Sequence, residues 1–448
     1  MRTVRIGCGA GFADDRVEPA LELVEHGALD YLVFECLAER TVALAQLERL
    51  ADPKSGFNEW LVERMEAVLA PCAERGVRVV TNMGAANPLA AAQVVVGVAR
   101  QLGLGGVRVA AVTGDDVLDV VRGSDLPLTD GNGTVADLGE RIIASNAYLG
   151  VGPVVHALEL GADVVVCGRV ADPSLFLAPL VHEFGWPLDD WRLLARGTAV
   201  GHLLECAGQV TGGYFADPGV NDVPGLVRLG FPLAEVAADG AFSVSKVPGS
   251  GGRVTVATVA EQLLYEVHNP AAYVTPDVVA DFSAARATQV DEDRASVSGI
   301  DGGPRPDHLK VSVAYRDGFI GEGQISYAGA NAEARGRLAL DIVRERLRLL
   351  GFDGAETRFD LIGVDAVHRA PEGFRSGGHS APEVRARVAA RAETLADARR
   401  IGREVTALWL NGPAGGAGAN RSARENIAVA SVLVPRDVVR HDVHVLEA

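Results

Sequence analysis

The sequence predicts an α/β protein, with a doubly wound, mostly parallel sheet in an N-terminal domain and a second α+β domain after it. Three observations carry this expectation. Short apolar, β-branched runs alternate with stretches of 3.6-residue apolar spacing through the first half of the chain. These runs, Asp163 to Cys167 above all, lack polar alternation, as strands covered by helices on both faces require. Beyond Gly212-Gly213 the texture changes to closely spaced turn signals, DPG, NDVPG, DG and PGSGG. The expected domains are therefore residues 1–215 and 216–448.

Val4 to Gly7 reads as the first strand, running into GCGAGF, and Val17 to His26 has helical spacing. Tyr31 to Cys36, Val77 to Thr81 and Val107 to Thr113 follow as strands, separated by helices over Trp60 to Arg75 and Leu89 to Leu102. Val135 to Leu149 is expected to be a helix capped by Thr134. Gly152-Pro153 opens a short helix, because proline is tolerated in the first turn, and Gly161 closes it. Asp163 to Cys167 is then a fifth strand. Asp172-Pro173 reads as an N-cap and a first-turn proline, starting a helix that Gly185 ends, and Trp191 to Cys206 is a further helix. In the second domain, Leu309 to Arg316 and Phe319 to Tyr327 alternate as strands, joined by Asp317-Gly318, a dipeptide favoured in hairpin turns. Ala332 to Leu350 and Glu383 to Arg403 read as helices. Arg358 to Val364, Ile427 to Val434 and Val438 to Val445 read as strands.

Composition bounds the function. A chain of 448 residues exceeds one ordinary core, and 48% hydrophobic with 23% charged residues is a globular balance. The formal net charge of −17, with no basic tract that could follow phosphates, argues against a nucleic-acid partner. Five cysteines without a C-x-x-C pair argue against a disulfide framework or structural zinc, and point to reduced cytoplasm. The N-terminus has no apolar leader, and windows such as Ala90 to Ala99 are too short for a bilayer, so no membrane association is expected. The sheet edges left by the second domain's strands lead us to expect a homo-oligomer.

Parallel strands bring the loops after their carboxyl ends to one edge of the sheet, where open α/β sheets build ligand crevices. Gathered there are Glu35, Cys36, Glu39 and Arg40; Thr81, Asn82 and Asn87; Thr113, Asp115 and Asp116; and Gly168, Arg169 and Asp172. Several carboxylates around one or two arginines can split into an acid and a base, or hold a divalent cation such as magnesium through oxygen. Arg169, Asp172, Glu35 and Asp115 are the catalytic candidates, with Asn82 and Asn87 placed for substrate. The structural alternative is that Asp172 and Asn87 cap their helices and the rest are loop charges. His156, expected in the first turn of its helix, would be held neutral by the dipole and suits a general base, or packs against the sheet. His202 and Cys206 lie one helical turn apart beside Glu205, but no second half of a metal site accompanies them, which favours a core pair.

Gly7, Gly9 and Gly11 follow a strand, yet they spell G-x-G-x-G-F, and Asp14 and Asp15 stand where a pyrophosphate would need positive potential. No tightly bound nicotinamide or flavin is expected; Gly9 and Gly11 either approach substrate or allow a tight turn. Lys246 to Arg253 (KVPGSGGR), with Gly249, Gly251 and Gly252, could form a phosphate-binding nest, as could Gly412 to Ala419, and neither matches a Walker loop. No G-x-S-x-G elbow supports a serine hydrolase, and Cys167 ends an apolar strand, as a buried inert thiol would.

The segments GCGAGF, DYLVFECLAERT, TNMGAANP, VCGRVADPSLFLAPL, GQVTGGYFADPG, GFPLAEV, KVPGSGGRVTVATVAEQLLYEV and YVTPDVVADF together resemble the acyclic terpene utilisation protein AtuA family. The resemblance runs from residue 3 to about residue 440. It implies a setting beside acyl-CoA carboxylases, enoyl-CoA hydratases and acyl-CoA dehydrogenases in citronellol and geraniol breakdown. It also implies an acyl or acyl-CoA ligand, with CoA carried as part of the substrate. Many longer members carry a small C-terminal ferredoxin-like domain. This chain ends before such a domain, and the resemblance leaves open whether a small separate subunit supplies it. The expected activity is acid–base chemistry next to a carbonyl, of hydratase, dehydratase or lyase type, with a non-catalytic acyl-binding subunit as the alternative.

Overall fold

The computed structural model describes residues 2–129, 131–352, 356–367 and 381–448. In chain order it contains β1 (Thr3–Ala10), α1 (Glu18–His26), β2 (Tyr31–Phe34), α2 (Glu39–Ala51), α3 (Leu61–Arg75), β3 (Arg78–Thr81), α4 (Pro88–Gln101), β4 (Arg108–Thr113), α5 (Leu118–Val121), α6 (Val135–Leu138), β5 (Ile142–Ala147), α7 (Gly152–Glu159), β6 (Val164–Cys167), α8 (Asp172–Phe184) and α9 (Trp191–Leu204). There follow β7 (Pro232–Ala237), β8 (Phe242–Lys246), α10 (Val256–Leu264), β9 (Tyr273–Val274), β10 (Val279–Asp281), β11 (Arg286–Asp291), β12 (Arg294–Ser298), β13 (Asp301–Gly303), β14 (His308–Ala328), α11 (Ala332–Leu349), β15 (Thr357–Ile362), β16 (Glu383–Ala392), α12 (Leu395–Thr406), α13 (Leu408–Asn411), β17 (Ala417–Pro435) and β18 (Asp442–Glu447).

The chain divides into two units, 1–314 with 429–448, and 315–428. The expected boundary near residue 215 is not where this division falls, because β7, β8, β12 and β11 continue the sheet that β1 begins. In the first unit the sheet order is β11-β12-β8-β7-β1-β2-β3-β6-β4-β18. Its parallel core is β1-β2-β3-β6-β4, with Cys8 opposite Val33, Val33 opposite Val80, Val80 opposite Val165 and Ala110 opposite Val165. Antiparallel strands extend both edges. Ile6, Val33, Val80, Val165 and Ala110 are fully buried, as strands beneath helices on both faces must be. Helices α1, α3 and α4 pack on one another, as do α7, α8 and α9, and right-handed crossovers put the two sets on opposite faces. Because β6 lies between β3 and β4, the helices after β3 and β6 leave to opposite faces, the arrangement at whose carboxyl edge open α/β sheets build ligand crevices.

Two sequence expectations change here. The Val135 to Leu149 helix is only the four residues of α6: the Thr134–Asp137 capping box starts it, Gly139 at φ +54° stops it, and the fully buried β5 follows. Glu39, expected in a loop, is the first residue of α2.

The second unit is a sheet of order β15-β16-β14-β17 with α11 and α12 packed on it. Its core holds Ile325, Tyr327, Val343, Leu361, Val388 and Ile401. Asp317-Gly318 does not make a hairpin. Strand β14 runs straight through it, with Gly318 at φ +72°, and Phe319 onward pairs with β16 instead of folding back. Glu383 to Arg403 likewise splits into β16 and α12. Val384, Ala386, Val388 and Ala390 are buried at a period of two, and Thr394 caps the helix that follows.

Candidate active site

The crevice is organised around Arg169, whose side chain is 1% exposed. Two carboxyl-edge loops, the one after β2 and its own after β6, meet at its guanidinium. Its guanidinium donates to the Leu37 carbonyl after β2, to the Val170 carbonyl at 3.2 Å (Nε) and 2.6 Å (Nη2), and to the Asp172 carboxylate at the start of α8. The cation also lies 4.6 Å from the centre of the Tyr148 ring, just beyond β5.

Glu35 accepts from Asn82 Nδ2 at 2.8 Å and from the Leu37 N–H at 2.9 Å, while Asn82 Oδ1 accepts from the Cys36 N–H at 2.7 Å. The β2 and β3 loops are thereby locked together under the carboxyl group. Burial, then the Asp172 charge, raises the Glu35 carboxyl well above the usual carboxylate range, against the pull of Arg169. Asp172 is also raised by burial, against Arg169, but its side chain is 35% exposed and reaches the crevice opening. Asp172 is the first residue of α8, and Ala171 holds the N-cap position. The carboxylate expected to cap the helix instead pairs with Arg169.

Asp115 is buried beneath this set. Its Oδ2 accepts from the Arg169 N–H and from Asn146 Nδ2, each at 2.9 Å, so it fixes the loop that carries the guanidinium. A Cβ on Gly168 would stand 2.5 Å from Asp115 Oδ1. Gly168→Ala is therefore expected to cost about 1–3 kcal/mol by overpacking a pinned carboxylate; urea unfolding with an unchanged midpoint would count against this packing. Asp277 does the same work from the other side, accepting from the Val151 N–H ahead of α7 at 2.9 Å and from Ser174 Oγ in α8 at 2.5 Å.

A second cluster closes the crevice at the end of α9. His202 Nδ1 and Glu205 Oε1 stand 3.0 Å apart, and the imidazole packs against Tyr273 and Phe282 at 5.0 and 5.9 Å between ring centres. Glu205 Oε2 and His202 Nε2 are buried and make no hydrogen bond among the described residues. Burial, opposed by His202 and reinforced by Asp172 and Glu266, lifts the Glu205 carboxyl to about 7. On the other flank, burial would raise Glu39, yet the Tyr148 hydroxyl at 2.5 Å, its own N–H and Lys310 Nζ at 3.2 Å hold it down at about 2. The site thus offers an ionised Glu39, a titrating Glu205, and Glu35 and Asp172 sharing one cation. Among the described residues, no three of His, Cys, Asp or Glu converge as a metal-ligand set.

Other expected site residues fall outside this constellation. His156 is exposed on α7 and shares no contact with these groups. Asn87 caps α4 through Ala90 and donates to the Pro53 and Ser55 carbonyls at 2.9 and 2.8 Å. A Cβ at Gly9 would meet the Phe34 ring at 2.6 Å, and one at Gly11 the Cys206 backbone at 2.5 Å, so both serve close packing. The phosphate-nest expectation for Lys246 to Arg253 is corrected by its hydrogen bonds. The N–H groups of Gly251, Gly252 and Arg253 donate to the carbonyls of Arg228, Pro224 and Thr211 at 2.7–2.8 Å. Lys246 is paired with Asp293 at 2.9 Å. Gly249, at φ +83°, makes the turn of that loop.

Sequence reasoning passed over Tyr148, Lys310 and Tyr273, and set Glu205 aside as core. Tyr148 follows β5, a strand outside the ten-stranded sheet, so the carboxyl-edge rule does not reach it.

Fold and candidate site together define an α/β protein with carboxylates and a buried arginine gathered at the switch point of a doubly wound sheet. It belongs to the acyclic terpene utilisation protein AtuA family, whose model matches residues 4–445. No curated protein and no solved structure matches the chain. Among the described residues, no helix is long and apolar enough to cross a membrane.

Proposed function

We propose that the protein is an enzyme of acyl metabolism that moves protons at the carbon next to a carbonyl, in a hydratase, dehydratase or lyase type of reaction. The observation that supports this reading is a set of three carboxyls with raised proton affinity, Glu35 and Asp172 beside the buried Arg169 guanidinium and Glu205 within the field of Asp172. Asp172, ion-paired and open to solvent, is the carboxylate suited to take a proton. Glu35, buried among neutral donors, is the acid suited to return one. Arg169 balances the charge as the proton moves. The acyl group is bound either as a free acid or as a thioester. The expected phosphate grip at Lys246 to Arg253 is lost, so any CoA moiety must be held elsewhere.

Short branched acids and acyl-CoA thioesters, screened by thermal shift and then by mass spectrometry for turnover, with and without magnesium, test this reading. For any substrate found, Glu35→Gln is expected to keep the Asn82 and Leu37 hydrogen bonds and the melting temperature. It should lower turnover at least about a hundredfold, the low end for a positioned proton-transfer group. Wild-type turnover in that variant would remove Glu35 from the chemistry. Ligand binding with no turnover under any condition would favour an acyl-binding subunit instead.

A further inference from the structure

In the second unit, four arginines converge in a protein of net charge −17. Arg399, Arg400 and Arg403 stand on the exposed face of α12, and Arg421 on β17 joins them around a cavity of about 330 Å³ that Ser422 and Ala423 also line. Gly402 brings strand and helix together, since a Cβ there would stand 3.0 Å from Arg421 Cβ. Arg400 meets Asp397 at 3.4 Å and lies 6.0 Å from the centre of the Phe352 ring. Arg399, Arg403 and Arg421 have no side-chain hydrogen bond or ion pair among the described residues.

The arrangement works against the helix. Arg399 and Arg403 are four residues apart, a like-charge pair that destabilises an isolated helix by a few tenths of a kcal/mol, and Arg400 and Arg421 add to the repulsion. Other arginines of this unit face carboxylates: Arg387 meets Asp360 at 2.8 Å and Glu322 at 2.6 Å, and Arg316 meets Glu425 at 2.6 Å. Unneutralised guanidiniums facing one cavity are arranged for an anion, and their planar forks fit phosphate oxygens two at a time. The α12 cations span a single turn, roughly 6 Å of helix rise, which matches one or two phosphates rather than the track a nucleic acid follows.

We propose that this cavity binds the phosphate groups of a small phosphorylated ligand, with Arg399, Arg403 and Arg421 as the principal contacts. The inference stands independently of the acid–base crevice. Calorimetry of the full chain with inorganic pyrophosphate and with ADP, at low salt, tests it. Both probes are expected to bind with a Kd below about 1 mM, an affinity that weakens as salt is added. The double variant Arg399→Ala/Arg403→Ala should weaken binding at least about tenfold with an unchanged melting temperature, and Arg421→Ala, on the strand, should weaken it separately. No heat with either probe, or equal binding by the variants, overturns the proposal. So does tight binding of heparin or single-stranded DNA where pyrophosphate does not bind, an outcome that would mark the patch as a site for a polymer.

Discussion

Arg169→Met is expected to cost about 3 kcal/mol of stability, because it leaves two carbonyls without their buried donor and takes the cation from the part-exposed Asp172 carboxylate. The loss would reach several groups at once: Asp172 loses its cation, the Leu37 and Val170 carbonyls lose their donors, and Glu35 gains a like-charged neighbour no longer screened. Methionine keeps much of the volume, so cavity formation adds little. A fall in melting temperature of at least about 5 °C is the expected reading. Arg169→Lys should recover only part of it, since an ammonium lacks the planar fork that meets Leu37, Val170 and Asp172 together. Adding Asp172→Asn to Arg169→Met should recover stability, by removing the orphaned charge. An Arg169→Met protein as stable as wild type would mean that the carboxyl-edge loops are held by the strands alone.

The parallel core was readable because each of its strands is a short β-branched run bounded by turn signals, and burial on both faces leaves no other periodicity for Val164–Cys167 to show. Strand β5 was not. Ile142–Ala147 sits directly after a genuine capping box at Thr134, and the helical reading carried on past Gly139. Alanine and arginine alternating in Glu383–Ala392 favour helix by propensity, but burial of every second residue overrides propensity. The same limits apply to the site. Arg169, Asp172, Glu35, Asn82 and Asp115 were found because topology alone puts carboxyl-edge loops together. Tyr148 follows β5, which lies outside the ten-stranded sheet. Tyr273 and Lys310 come from segments far along the chain, whose approach no local pattern encodes. The glycine-rich loop at 246–253 misled for a related reason: composition shows that backbone N–H groups are free to turn, but only the fold shows which carbonyls they meet.

Glu205→Gln is expected to change how stability depends on pH, and the sign follows from the direction of its shift. The folded protein lifts this carboxyl from 4.5 to about 7, so the folded state holds the proton more tightly than the unfolded chain does. Its stabilising contribution is fully present below about pH 4.5 and is lost as the pH rises through 7, by roughly 3 kcal/mol at about 1.4 kcal/mol per unit. Glutamine keeps an acceptor for His202 but cannot ionise. Wild type and variant should therefore unfold at similar urea concentrations at pH 5, and the variant should be the more stable of the two at pH 8, by up to that amount. The crossover also bears on mechanism, because a carboxyl that titrates near neutrality, with Oε2 buried and unpaired, is placed to hand a proton to a bound ligand. Parallel pH profiles for the two proteins would show that Glu205 is ionised throughout, and the role of the acid would then fall to Glu35, beside Arg169.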